Sequence, residues 1–128
     1  MSGPAQGTFL WNELAAKDPA KSGALYADLL GWETAEVPMP DGTYTLFRSG
    51  GNDSGGMYQI LPEHGPMPQA WISYVAVDDV DDVDAAAAKV KALGGEVLTE
   101  PFDVPNTGRI CIITDPDGGT LGLMKPAG

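Results

Sequence analysis

Two stretches of the sequence begin with a tryptophan and reach an aspartate seven residues later: "WNELAAKD", from Trp11 to Asp18, and "WISYVAVD", from Trp71 to Asp78. The second stretch lies sixty positions after the first. Each stretch has the length and apolar content of a strand, and aspartate is favoured at the start of a helix. The pair indicates that the chain contains two copies of one structural module.

A helix is predicted directly after the first stretch. Asp18 suits the N-cap, and Pro19 suits the first turn, where its missing N–H would have had no partner. Apolar residues then recur at helical spacing as far as Leu30, and Gly31 follows as a stop signal. Three strand-like segments, "WETAEV", "TYTLFR" and "MYQIL", complete the first module.

The second module repeats this order. The strand "WISYVAV" is followed by a helix that opens within Asp78 to Asp84 and closes at Gly94-Gly95, and then by the strands "EVLTE", "RICIIT" and "TLGLMK". The sequence therefore predicts an α+β fold of two tandem βαβββ modules within one domain over residues 1–128. Module one covers about 8–61, a proline-rich linker covers 62–70, and module two covers about 71–126.

Composition narrows the classes of partner. The formal net charge is −11, and the seven Lys and Arg residues are scattered, so neither nucleic acid nor an anionic membrane is expected to bind. No apolar run is long enough to span a bilayer and the N-terminus does not resemble a secretory signal, so we expect a cytoplasmic protein. The chain has one cysteine, Cys111, so it cannot form an internal disulfide. With only one histidine, His64, in addition, few combinations of the usual metal ligands are available.

The segments "DPAKSGALYADLLGW", "ALGGEVLTEP" and "TDPDGGTLGLMKP", in this order and context, resemble the vicinal oxygen chelate superfamily, which includes glyoxalase I, bleomycin-resistance proteins and extradiol dioxygenases. The resemblance covers about Thr8 to Pro126. It implies that the strands form a curled mixed sheet with the helices outside and a cleft between the modules. It also implies metal ligands at four positions, which here are Trp11, Gln59, Trp71 and Gly122. Tryptophan and glycine offer no oxygen, sulfur or imidazole ligand, so we expect no metal or other cofactor.

Strand alternation then predicts which side chains line the cleft, if Trp11 faces it. An apolar lining with a few polar groups is typical of a site for a small apolar or aromatic molecule. Two tryptophans could instead fill the cleft themselves. The predicted ligand-binding residues are Trp11, Met57, Gln59, Trp71, Ser73, Arg109, Thr120, Gly122 and Met124, with Val75 on the same face as Trp71.

Polar residues add two candidates for chemistry. Glu13 would stand beside Trp11 on the cleft face, where an apolar surround suits a general acid or base; the alternative is an exposed acid or an ion-pair partner. Arg109 could clamp an anionic ligand. The run "DDVDDVD" is interpreted as a helix cap rather than a calcium loop, His64 as a surface residue, and Cys111 as a buried, unreactive thiol.

Three hypotheses about function remain open at this point. The first is a metal-free protein that binds a small apolar or aromatic molecule. The second is an enzyme: a glyoxalase-like lyase, an isomerase or a dioxygenase, using either unrecognised metal ligands or Glu13 alone. The third is a domain whose role is association, for example as a homodimer.

Overall fold

The computed structural model describes residues 5–39, 42–62, 67–77, 82–104 and 107–126. Its elements confirm the predicted order, strand-helix-strand-strand-strand, twice over. The elements are β1 (Phe9–Ala16), α1 (Pro19–Leu30), β2 (Glu33–Met39), β3 (Gly42–Ser49), β4 (Asn52–Gln59), β5 (Ala70–Ala76), α2 (Val83–Ala92), β6 (Glu96–Val104), β7 (Gly108–Thr114) and β8 (Thr120–Pro126).

Local capping explains where α1 begins and ends. The Asp18 carboxylate accepts a hydrogen bond from the Lys21 backbone N–H at 3.3 Å, which satisfies one of the unpaired donors of the first turn. Gly31 adopts the left-handed conformation, with φ of 73°, and its N–H donates to the Ala27 carbonyl. The helix therefore occupies the predicted range.

The second helix begins within the predicted range Asp78 to Asp84. Its N-cap is Asp82, whose carboxylate accepts from the Ala85 N–H at 2.9 Å, and Asp84 is the acidic residue of its first turn. Residues 78–81, to which the predicted helix start extended, lie outside the described residues. Among the residues described, no helix is long and apolar enough to cross a membrane.

The chain divides into two compact units. The first unit is Asn12–Trp71, and its strands are hydrogen-bonded in the order β2-β3-β4-β1. Strand β1 runs parallel to β4, whereas the other two pairs are antiparallel. The core of this unit lies between the sheet and α1 and consists of Leu14, Ala16, Phe47 and Met57, with Tyr26 and Trp32 packed against it.

The second unit combines Met1–Trp11 with Ile72–Gly128. Its strands follow the order β5-β8-β7-β6, with β5 parallel to β8. The amino-terminal segment belongs here because the Ala76 N–H donates to the Thr8 carbonyl at 2.8 Å. The core on the α2 side consists of Val75, Val77, Val83, Ala87, Cys111 and Leu123.

Candidate functional site

In the first unit, the core identifies which side chains point towards α1. Leu14, Phe47 and Met57 belong to the cluster that includes Tyr26 of α1. Because side chains alternate along a strand, their neighbours in sequence point to the opposite side of the sheet. We call this opposite surface the tyrosine face, and its members are Glu13, Ala35, Val37, Tyr44, Leu46 and Tyr58.

The strand register makes the tyrosine face continuous across three strands. Tyr44 on β3 lies opposite both Val37 on β2 and Tyr58 on β4, and Leu46 lies opposite Ala35. These five side chains are half-buried. Directly opposed residues on one face are close enough to pack together, so they form an apolar surface that is still partly open to solvent.

Tyr44 lies across a glycine on the next strand. A Cβ atom added to Gly56 would collide with the Tyr44 hydroxyl, so only glycine leaves room for this ring. Gly56 is in turn the register partner of Glu13 on β1. Neighbouring strands are about 4.8 Å apart, and the Tyr44 hydroxyl therefore lies about one strand spacing from the backbone of Glu13.

Glu13 introduces a buried negative charge at this face. Its exposed fraction is 8%, and no other charged side chain in the described part of the chain is buried. Burial raises the pKa of the Tyr58 hydroxyl, and the negative charge of Glu13 raises it further. Tyr58 therefore keeps its proton at neutral pH and remains a hydrogen-bond donor. Glu13 also has interactions of its own within the protein.

Met57, one of the predicted ligand-binding residues, lies on the α1 side of the sheet. Met57 is 2% exposed and lies in the core beside Leu14, its register partner. A Cβ atom at Gly23 of α1 would lie 3.4 Å from the Met57 Cε atom. The flexible Met57 side chain therefore extends to α1 and lies beside Gly23.

Trp71, another predicted ligand-binding residue, contacts Tyr26 of α1. Its indole Nε1 donates to the Tyr26 hydroxyl at 3.2 Å, and its ring centroid lies 5.5 Å from that of Tyr26. The centroids of Trp32 and Phe47 are each 6.1 Å from that of Trp71. The indole lies beside Gly55, where an added Cβ would be 3.8 Å from the Trp71 ring. Trp71 therefore completes an aromatic cluster on the α1 side.

Ser73 and Val75, which were predicted to face the cleft with Trp71, lie on the α2 side of the second unit's sheet. Val75 belongs to the core on the α2 side of the second unit, and alternation places Ser73, which is half-buried, on that same side. The opposite face of this unit carries Tyr74, Gly122 and Met124, with Thr120 at its edge. A Cβ atom at Gly122 would collide with the Tyr74 ring, which is 1% exposed.

Arg109 is engaged by two carboxylates of the second unit. Its Nε and Nη2 donate to the two Asp84 oxygens at 2.7 and 2.9 Å, and its Nη1 donates to Asp103 at 3.1 Å. The hydrogen bonds from Arg109 lower the pKa of Asp84. The guanidinium links the first turn of α2 to β6 and β7. These ion pairs argue against the predicted anion clamp.

Comparison with known proteins identifies the family. Residues 8–123 match the model of the Glyoxalase/Bleomycin resistance protein/Dioxygenase superfamily. The chain belongs to this superfamily. It is 36% identical over 122 residues to "Putative glyoxylase CFP32" of Mycobacterium tuberculosis, covering 94% of this chain and 45% of that protein. It is 34% identical over 134 residues to "Anthracycline biosynthesis protein DnrV" of Streptomyces peucetius, covering 94% of this chain and 48% of that one.

The chain thus spans less than half the length of these curated relatives. Among solved structures, methylmalonyl-CoA epimerase from Mycobacterium tuberculosis aligns with a TM-score of 0.61 at 19% identity, covering 100% of this chain and 94% of that one. At this identity the structural likeness supports the superfamily fold and carries no information about the reaction.

The four positions at which the superfamily resemblance implies metal ligands do not fit a divalent ion. Trp71 donates its only N–H to Tyr26, and Gly122 lies under the Tyr74 ring. The Gln59 amide is exposed and donates to the Lys17 carbonyl at 3.4 Å, and the half-buried Trp11 offers only an indole N–H. The described residues contain no group of three or more His, Cys, Asp or Glu that could hold a metal. His64 lies outside them.

Two further residues complete the comparison with the sequence. Cys111 is buried, and burial raises the pKa of its thiol to about 11, which agrees with an unreactive cysteine. Tyr44, Tyr58 and Tyr74 are absent from the predicted site. Strand alternation places Tyr44 opposite Phe47 and Tyr58 opposite Met57, so the sequence contained a signal for these two tyrosines. Using that signal requires knowing which set of side chains contacts the helix.

Proposed function

We propose that this superfamily member binds a small apolar or aromatic molecule on the tyrosine face, without a metal ion. The observation that supports the proposal is the register of Val37, Tyr44 and Tyr58 across three strands, with Leu46 beside them, all half-buried. Aromatic and aliphatic side chains with a few polar groups are the usual lining of small-molecule sites. The Tyr44 and Tyr58 hydroxyls and the Glu13 carboxylate supply the polar groups.

The ring areas give the scale of the binding energy. An aromatic side chain that becomes fully covered buries on the order of 200 Å². If a ligand covers about half of that area on each tyrosine, roughly 5 kcal/mol of favourable burial results at about 25 cal/mol per Å². Loss of translational and rotational freedom offsets much of this, so we expect dissociation constants in the micromolar range.

Binding of the neutral fluorescent probe N-phenyl-1-naphthylamine tests this proposal. We expect its emission to rise on titration with the protein, and to do so equally after dialysis against EDTA. Val37→Glu places a carboxylate on the tyrosine face and should weaken probe binding about tenfold, because the charge loses water when the probe covers it.

A matched control uses the other side of the same strand. Thr34 is exposed on β2 and alternates with Ala35, so Thr34→Glu adds the same charge away from the tyrosine face and should leave the affinity unchanged. Equal weakening by both variants, or no probe binding by the folded wild-type protein, would exclude the proposal. Loss of probe binding after dialysis against EDTA would exclude the claim that no metal ion is needed.

An enzyme that uses Glu13 as a proton acceptor is the second candidate. Burial of the carboxylate beside Tyr58 favours it, because acids and bases in catalysis occupy such surroundings. The test is incorporation of solvent deuterium into phenylacetone, a neutral aromatic ketone with acidic C–H groups, followed by NMR. Exchange that depends on protein and is lost in Glu13→Gln would favour the enzyme; exchange no faster than in buffer would favour binding alone. Homodimer formation and a cytoplasmic location remain predictions.

A further inference from the structure

The outer side of α1 carries two exposed leucines. The inner side of this helix packs on the sheet, where the buried Gly23 lies beside Met57. Leu25 and Leu29, by contrast, have exposed fractions of 58% and 68%. Side chains four residues apart are neighbours on a helix surface. Adjacent exposed apolar side chains, unlike single scattered ones, are typical of contact surfaces.

Two opposite charges lie on the same side of α1 as these leucines. Lys21 precedes Leu25 by four residues and Asp28 follows it by three, and both charged residues are exposed. We call Lys21, Leu25, Asp28 and Leu29 the α1 stripe. Its two charges are about 10 Å apart along the helix axis, beyond the spacing at which side chains of one helix pair. The stripe thus has no net charge, although the chain carries −11.

The charges of the α1 stripe are placed against the dipole of their own helix. The amino-terminal end of a helix favours acidic side chains, and the carboxyl-terminal end favours basic ones. Beyond its N-cap aspartate, α1 has no acidic residue in its first turn, where Lys21 lies, and no basic residue in its last turn, where Asp28 lies. Helix α2 has the favourable arrangement, with Asp84 in its first turn and Lys89 and Lys91 in its last. The charges on α1 therefore do not stabilise their own helix.

We propose that the α1 stripe binds a second copy of this chain, with the two α1 helices packed antiparallel about a twofold axis. Leu25 then packs on Leu25 of the second copy, and Lys21 faces Asp28 of the second copy. A twofold axis makes each contact occur twice. Each charge also lies beside the end of the other helix that favours it, whereas a parallel pair would bring like charges together.

This inference goes beyond ligand binding and does not depend on it, because the tyrosine face lies on the other side of the sheet from α1. The net charge of −11 makes two copies repel in general, so a stripe with balanced charges is a favourable place for them to meet. The stripe is small compared with the interface of an obligate dimer. We therefore expect a reversible dimer with a dissociation constant in the micromolar range.

Sedimentation velocity of the wild-type protein, from about 5 to 500 µM, measures this equilibrium. Leu25→Gln should raise the dimer dissociation constant at least about tenfold, because two leucines lose their apolar contact. Leu93→Gln is the matched control, since Leu93 is 68% exposed at the C-cap of α2 and lies off the stripe. It should leave the dissociation constant unchanged. Far-UV circular dichroism checks that each variant is folded.

A charge exchange tests the antiparallel pairing. Lys21→Glu and Asp28→Lys should each weaken the dimer about fivefold, because each leaves like charges facing one another at both contacts. The two substitutions change the net charge in opposite directions, so general repulsion between copies cannot account for weakening by both. The protein that carries both substitutions again has opposite charges at each contact, and it should regain most of the wild-type affinity.

The outcomes decide the proposal without reference to the tyrosine face. A wild-type protein that stays monomeric at the highest concentration overturns it. Equal effects of Leu25→Gln and Leu93→Gln also overturn it, since the dimer then forms through another surface. A double charge variant that is weaker than either single variant excludes the antiparallel pairing. Binding of N-phenyl-1-naphthylamine is measured separately, so either proposal can fail while the other stands.

Discussion

Replacement of Trp71 tests whether this residue stabilises the first unit or binds the ligand. Its exposed fraction is 39%, so roughly 60% of a ring that presents on the order of 200 Å² is covered, or about 120 Å². At about 25 cal/mol per Å² this burial stabilises the fold by about 3 kcal/mol. The hydrogen bond from Nε1 to the Tyr26 hydroxyl, at 3.2 Å, adds about 1 kcal/mol.

Trp71→Ala should therefore lower the free energy of unfolding by about 3 kcal/mol, since the area figure is an upper estimate for a chain that is already compact when unfolded. For 128 residues the entropy of unfolding is about 0.27 kcal/mol per kelvin. The midpoint of thermal unfolding should fall by about 10 °C. Trp71→Phe keeps most of the ring area and should lower the stability by about 1 to 2 kcal/mol.

Urea unfolding followed by far-UV circular dichroism measures these changes, and near-UV dichroism checks that the transition is two-state. Phe9→Ala is the control, because Phe9 is 69% exposed and its removal should change the stability by less than about 0.5 kcal/mol. The folded Trp71→Phe variant should bind N-phenyl-1-naphthylamine within about twofold of wild type. A cost below about 1 kcal/mol for Trp71→Ala, or a tenfold loss of probe affinity in Trp71→Phe, would refute the reasoning.

Three further predictions concern the second unit. Arg109→Gln should lower the free energy of unfolding at neutral pH. Because the pKa of Asp84 is lowered in the folded protein, the ion pair stabilises the fold above the ordinary carboxyl pKa, and this stabilisation is lost as the pH falls below it. Urea unfolding curves of the wild-type and variant proteins should therefore converge in acid. Cys111, with a pKa raised to about 11 and a buried thiol, should react with Ellman's reagent at neutral pH only as fast as the protein opens, and rapidly in urea. Gly122→Ala should lower the unfolding midpoint by several degrees because the added methyl collides with the Tyr74 ring, and a midpoint within one degree of wild type would contradict this placement.

The order and ends of the elements were predictable because they depend on local chemistry. Asp18, Pro19 and Gly31 specify the start and end of α1 through hydrogen bonds and backbone angles that involve only residues near in sequence. The repeated order of strands and helix then implied the fold. These signals do not depend on which face of each strand contacts a helix.

The side of the sheet on which each side chain lies was predicted less well because it depends on packing between distant residues. Alternation divides each strand into two sets of side chains, but the choice between them depends on which set contacts a helix. Met57 lies beside Gly23 of α1, and Trp71 has a hydrogen-bond acceptor in Tyr26 and lies beside Gly55. Neither partner is near in sequence, and the tyrosine face was missed for the same reason.

The adjacent glycines 55 and 56 have a spectroscopic consequence. Trp71 lies beside Gly55 on one side of the sheet, and Gly56 gives space to Tyr44 on the other, so an indole and a phenol are separated by little more than one layer of backbone. Excitation absorbed by Tyr44 can pass to Trp71 by energy transfer. A bound molecule that quenches or displaces the Tyr44 ring should therefore change the Trp71 emission that is excited through tyrosine, without touching Trp71.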